Sequence, residues 1–162
     1  TKGSEIGDIY KFIEYVIKKF SKSNVKNTNL IFKHHPRDRG YKNYSEIIKI
    51  NAKKYGIKNY VFYIHDCYLS NVFRNLNCKG TILINSTVGY QSLYHSIPVK
   101  SFGISPYNIN GISYQKSLIS FFNNPERVDN LLFNKFYKYI LENSQINGNF
   151  DGFFPFSKVF KF

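Results

Sequence analysis

Gly80 to Phe102, GTILINSTVGYQSLYHSIPVKSF, is the stretch on which the fold of this chain turns. A short apolar run (GTILI, 80–84) enters a polar cluster (NST, 85–87). A helical pattern (STVGYQSLYH, 86–95) leaves that cluster, and Pro98 to Phe102 (PVKSF) supplies a second apolar run. Two strands joined by a helix of about ten residues predict a βαβ crossover, and therefore parallel strands.

The same alternation extends upstream. Asn29 to Phe32 (NLIF) and Tyr60 to Ile64 (YVFYI) read as strands. Asp8 to Phe20 (DIYKFIEYVIKKF) places Ile9, Phe12, Ile13, Val16, Ile17 and Phe20 at helical spacing, with lysines on the other face. Tyr44 to Tyr55 is a second helix with Gly56 as its C-terminal stop, and Leu69 to Leu76 is a short third. Downstream, the loop SPYNINGIS precedes helical stretches over Gln115 to Phe122 and Pro125 to Leu141. The expectation is an α/β domain: a Rossmann-like parallel sheet with helices on both faces, spanning 1–146. The aromatic stretch 147–162 (NGNFDGFFPFSKVFKF) follows as a tail that packs on a further domain or a membrane face.

With 162 residues, the chain is of single-domain size and can bury an ordinary core without metal or disulfide staples. It opens on Thr1 and contains no methionine, so it is expected to be a piece of something longer. The formal charge of +13 favours an anionic partner, although a solvated basic surface from a lysine-rich composition accounts for it equally well. Cys67 and Cys78 form no CxxC pair and are expected to be reduced thiols. No run approaches the ~20 apolar residues of a membrane span. A cytoplasmic chain is expected, lying at most peripherally against the inner membrane.

Ligands of open parallel sheets bind beyond the carboxyl ends of the strands. Two polar clusters fall there. The first is KHHPRDRG (33–40): Lys33, His34 and His35 supply donors for an anion, Arg37 and Arg39 add charge, and an imidazole can act as general acid near neutral pH. No spaced third ligand accompanies the two histidines, so no metal is expected. The second is Asn85, Ser86 and Thr87. These residues either cap the following helix or present hydroxyls and backbone N–H groups to a phosphate. Gly89 permits close approach of a ligand or of a neighbouring element. His65 and Asp66 end the second strand and either orient a ligand or cap the next helix. His95 sits at the carboxyl end of its helix, outside the site.

FKHHPRDRGYKNY (32–44), INSTVGYQSL (84–93), SIPVKSFGISPYNINGIS (96–113) and QINGNF (145–150) together resemble, in this order, the motifs of capsule polysaccharide proteins of the KpsS/KpsC type. That resemblance implies the C-terminal half of a GT-B-like glycosyltransferase. It implies retaining transfer of β-linked Kdo from CMP-Kdo to a phosphatidylglycerol-type lipid acceptor, with no cofactor, alongside inner-membrane capsule assembly proteins. It further implies that His35, with Lys33 and His34 beside it, and Ser86 with Thr87 hold the CMP phosphate, His35 doubling as general acid. Asn108 stands where the family's YDxPG segment has an acidic residue. The catalytic carboxylate would belong to an N-terminal domain, so this chain alone is expected to bind donor without turnover. Two other readings stand beside it: a basic nucleic-acid-binding module, which lacks any recognition motif, and a non-catalytic membrane-associated capsule assembly subunit.

Overall fold

The computed structural model describes residues 6–34, 42–65, 67–75 and 77–143, the side chain of Asn75 excepted. They fall into two compact units parted between Val128 and Asp129. His35, the loop to Gly40, Asp66 and the 147–162 tail lie outside the described residues.

Helix α1 (Ile9–Ser21) starts where Asp8 Oδ1 accepts the Lys11 N–H at 2.8 Å, satisfying one orphan donor of the first turn. Its apolar positions serve two clusters. Phe12 and Val16 pack with Tyr114, Leu118 and Phe121, whereas Ile13 and Ile17 pack with Ile48. Each such side chain stabilises the fold by roughly 1.5–3 kcal/mol through area removed from water. Helix α2 (Ser45–Lys54) brings Ile48 and ends at Gly56, whose φ of 71° is the left-handed conformation expected of a helix stop.

Strand β1 (Leu30–Lys33) pairs in parallel with β2 (Val61–Ile64), in register Leu30↔Val61 to Lys33↔Ile64. A single 3-10 turn, Lys58–Tyr60, leads into β2, and α3 (Leu69–Asn75) follows it. Strand β3 (Thr81–Leu83) pairs in parallel with β4 (Val99–Ser101), and α4 (Val88–Tyr94) is their crossover. The parallel α/β reading therefore holds. Where one continuous sheet is expected from the sequence, however, the described strands form two two-stranded parallel sheets. Strands of three or four residues offer little ladder, and β1 and β3 share instead an apolar cluster in which Leu30, Phe32, Ile82 and Ile84 pack beside α1.

Helices cover both faces of the β3–β4 pair. Side chains alternate along a strand; Ile82 joins the α1 cluster, while Thr81 faces α4, its Oγ1 2.9 Å from Ser92 Oγ. Helix α5 (Leu118–Asn123) is capped by Ser117 and closes the cluster with Phe121. A Cβ on Gly80 would lie 2.7 Å from Phe121 Cζ, so only glycine admits that ring. In the second unit, α6 (Asn130–Asn143) starts later than its sequence pattern suggests, because Asp129 Oδ1 takes the Leu132 N–H at 3.0 Å and sets the first turn there.

Candidate functional site

At the end of β1 the chain meets a cluster of rings. His34 is buried, at 3% exposure, and its N–H bonds to the Ile64 carbonyl, extending the β1–β2 ladder by one step. Its Nδ1 lies 2.5 Å from the Tyr63 hydroxyl. Its ring stacks on His65 with centroids 4.5 Å apart and stands 5.8 Å from Tyr44. Lys33 Nζ donates to the His34 carbonyl at 2.9 Å. Of the residues expected to meet an anion here, His34 is thus packed into the scaffold and His65 is exposed as its stacking partner.

The end of β3 is built from backbone. Asn85 and Thr87 are exposed, Ser86 is half-buried, and helix α4 begins only at Val88. The two hydroxyl residues therefore stand in a turn before the helix, where a helical start at Ser86 was expected. Ser86 Oγ accepts the Val88 N–H at 3.2 Å, an ST-type turn that displaces the helix start. Thr87 makes no side-chain capping bond.

The carbonyls of this turn are tied back into the protein. The Ile84 carbonyl accepts the Gly103 N–H at 2.8 Å and the Ser101 hydroxyl at 2.6 Å. The Ser86 carbonyl accepts the Gly89 N–H at 3.0 Å and the Tyr107 hydroxyl at 2.6 Å. Among the described residues, no acceptor takes the N–H groups of Ser86 or Thr87. With the Ile84 and Ser86 carbonyls occupied and the Ser86 and Thr87 donors unspent, the turn favours a negatively charged guest.

Tyr107 is 1% exposed, and burial pushes its phenol above the ordinary range; burial does the same to Tyr90, whose ring meets it edge to face at 4.9 Å. Both remain neutral phenols at physiological pH. Gly89 makes this packing possible: a Cβ there would lie 2.6 Å from the Tyr107 hydroxyl and nearer still to its Cζ. Of the two readings of Gly89, the neighbouring element is the one observed. Asn108 Oδ1 receives the Ser113 hydroxyl at 2.9 Å and the Gln115 amide at 3.1 Å, so it organises its own loop. This network also delays α5 to Leu118, beyond the expected start at Gln115.

Tyr107, Ser101 and Tyr63 are the residues that sequence reasoning did not single out. A signal existed for the first, since a glycine one turn into a short helix marks close approach of something bulky. His95 closes α4 through its backbone N–H, and its ring rests 5.8 Å from Phe73. Cys67 and Cys78 are free thiols, the second raised above its ordinary pKa by burial. A groove of about 510 Å³ lies between α2 and β2, where Lys49, Lys53 and Lys58 flank the edge of β2. Charged residues at an open strand edge oppose unwanted pairing. Among the described residues no three metal-ligating side chains converge, and no helix is long and apolar enough to cross a membrane.

The profile of a family described as "Capsule polysaccharide biosynthesis protein" matches residues 1–151. The chain is 36% identical over 144 residues to the capsule polysaccharide export protein KpsS of Escherichia coli, covering 89% of this chain and 36% of KpsS. It is 39% identical over 154 residues to the capsule polysaccharide modification protein LipB of Neisseria meningitidis serogroup B, covering 93% of this chain and 36% of LipB. The LipB of serogroup A is 39% identical over 150 residues, covering 91% of this chain and 35% of that protein. The chain thus spans about a third of the length of these curated relatives. No solved structure matches significantly.

Proposed function

The chain belongs to the capsule polysaccharide biosynthesis protein family, and we propose that it is the donor-binding part of a glycosyltransferase, holding CMP-Kdo by its phosphate. The observation that carries this reading is the Asn85–Thr87 turn: the Ile84 and Ser86 carbonyls are occupied, the Ser86 and Thr87 N–H groups have no protein acceptor among the described residues, and Asn85 and Thr87 are exposed.

In this reading Ser86 and Thr87 hold the phosphate from the end of β3. Lys33 and His35 add charge and hydrogen-bond donors to it, and His34 anchors the end of β1. Departure of CMP from the sugar leaves negative charge on the phosphate, which cationic and hydrogen-bonding groups stabilise. A protonated His35 supplies the proton as general acid. The carboxylate that acts on the anomeric carbon belongs to the rest of the protein. The chain alone therefore binds without turning over, and the whole protein carries out retaining transfer to a phosphatidylglycerol-type lipid. It works within a GT-B-like architecture, beside capsule assembly proteins on the cytoplasmic face of the inner membrane. The family, with relatives named for capsule export and modification, supports the setting.

Calorimetric titration of the chain with CMP tests the reading. Saturable binding, weakened in Ser86→Ala and in His35→Ala, is the expected result. Binding to a single-stranded oligonucleotide alone, falling steeply with salt, would replace it with a nucleic-acid module. Binding to anionic vesicles without any nucleotide affinity would replace it with a membrane-associated assembly subunit.

A further inference from the structure

We propose that Tyr107, seated on Gly89, is a positioning residue that sets the geometry of the Asn85–Thr87 turn for the donor phosphate; this rests on the reading of that turn given above. Tyr107 reaches the turn from the loop after β4, 21 residues downstream of the carbonyl it holds. Its hydroxyl donates to the Ser86 carbonyl at 2.6 Å while its ring fills the space that a side chain at position 89 would need. The contact is buried and its phenol is neutral, so the hydrogen bond persists across physiological pH.

Two anchors bracket Asn85. Ser101 holds the Ile84 carbonyl and Tyr107 holds the Ser86 carbonyl, each at 2.6 Å. Fixing these two carbonyls fixes the Ile84–Asn85 and Ser86–Thr87 peptide planes, because each peptide unit is rigid and planar. The Thr87 N–H, which shares the Ser86–Thr87 plane, then has one orientation, and the Thr87 hydroxyl has one base from which to reach a ligand. The Asn85–Ser86 peptide that carries the Ser86 N–H is strung between two fixed planes. Without Tyr107 the Ser86 carbonyl retains the Gly89 N–H alone, and the peptide that follows is free to tilt. Preorganised donors need no reorientation on binding, and that advantage is what the lock confers.

The prediction is selective. Tyr107→Phe keeps the ring against Gly89 and Tyr90 and removes the bond to the turn. It should weaken CMP about tenfold, on the order of the worth of one well-aligned hydrogen bond. Binding of cytidine, which lacks the phosphate, should stay unchanged. Gly89→Ala displaces the ring from the other side and should give the same selective loss, so the test survives if one variant folds poorly. A double-variant cycle adds a second readout: the losses from Tyr107→Phe and Thr87→Ala should fall well short of additive, since both act through one turn.

Equal CMP affinity in wild type and in both variants overturns the inference, as does a parallel loss of CMP and cytidine or a fully additive cycle. Each of those results leaves the donor-binding reading standing. A wild-type chain that binds no CMP removes the reading and this inference together.

Discussion

The ends of β1 and β3 occupy equivalent places in the two parallel strand pairs, yet they are built in opposite ways. At β1 the polar side chain turns inward: His34 is 3% exposed, bonded to Tyr63 and stacked on His65. At β3 the side chains Asn85 and Thr87 are exposed, and the backbone carbonyls beside them are held from within. A histidine next to a lysine reads in sequence as a ligand group, and here one histidine of the pair is scaffold. A serine–threonine turn reads as an ordinary helix cap, and here Ser86 does take the Val88 N–H with its hydroxyl while Thr87 caps nothing with its side chain. Polar residues at a strand end thus acquire their role from what the neighbouring element leaves available to them.

The contrast breaks most readily at His34. His34→Ala should lower stability by about 2–4 kcal/mol, as expected for deleting a buried ring and its hydrogen bond. Urea unfolding followed by circular dichroism measures this. An unaltered midpoint would erase the distinction between the two ends. Tyr63→Phe probes the same end more gently, removing the hydroxyl and keeping the ring. A loss of about 1 kcal/mol is expected, and no loss would mean that the Tyr63 hydroxyl adds nothing to the hold on His34.

At the other end, Thr87→Ala should change stability by no more than about 0.5 kcal/mol, because the side chain is exposed and caps no helix. Its effect belongs in CMP affinity, and a large drop in the unfolding midpoint would move this residue into the scaffold class. The smallest effect concerns the footing of the first end, where α1 meets α2. Glu14 Oε1 accepts from Lys54 at 2.7 Å and from Tyr55 at 3.0 Å, and these bonds hold its carboxyl below its ordinary value of 4.5. Lys54 is raised in turn above its ordinary 10.5 by the same bond. A depressed carboxyl stabilises the fold above its unfolded pKa, and that contribution disappears as pH falls through the folded value. For the raised lysine the contribution is present at lower pH and disappears as pH rises through the folded value. Both groups are solvent-exposed, so comparing Glu14→Gln with wild type should reveal only a slight difference at neutral pH that closes on acidification. A difference that widened in acid would contradict the assignment.

Much of this was legible in the chain. Period-3.6 spacing in α1, the apolar run VFYI and Gly56 after the second helix are local features, and local sterics and capping bonds act within a few residues. The chemistry of the site was legible as a composition of groups at strand ends. Its division of labour was not, because Tyr63 lies 29 residues from His34 and Tyr107 lies 21 residues from Ser86. The late starts of α4 and α5 escaped for a related reason: Ser86, Ser113 and Gln115 hydrogen-bond within their own loops instead of extending the helix.

The sequence by itself determined the alternation of strands and helices, the parallel crossovers, and the placing of two polar clusters at strand ends. Periodicity and chain handedness suffice for those. Only the tertiary structure decided that the described strands form two separate pairs, that His34 is buried, and that Gly89 exists to seat Tyr107. Such outcomes depend on which side chains reach a shared volume from distant parts of the chain. Close packing admits one occupant there, and no local pattern records the contest.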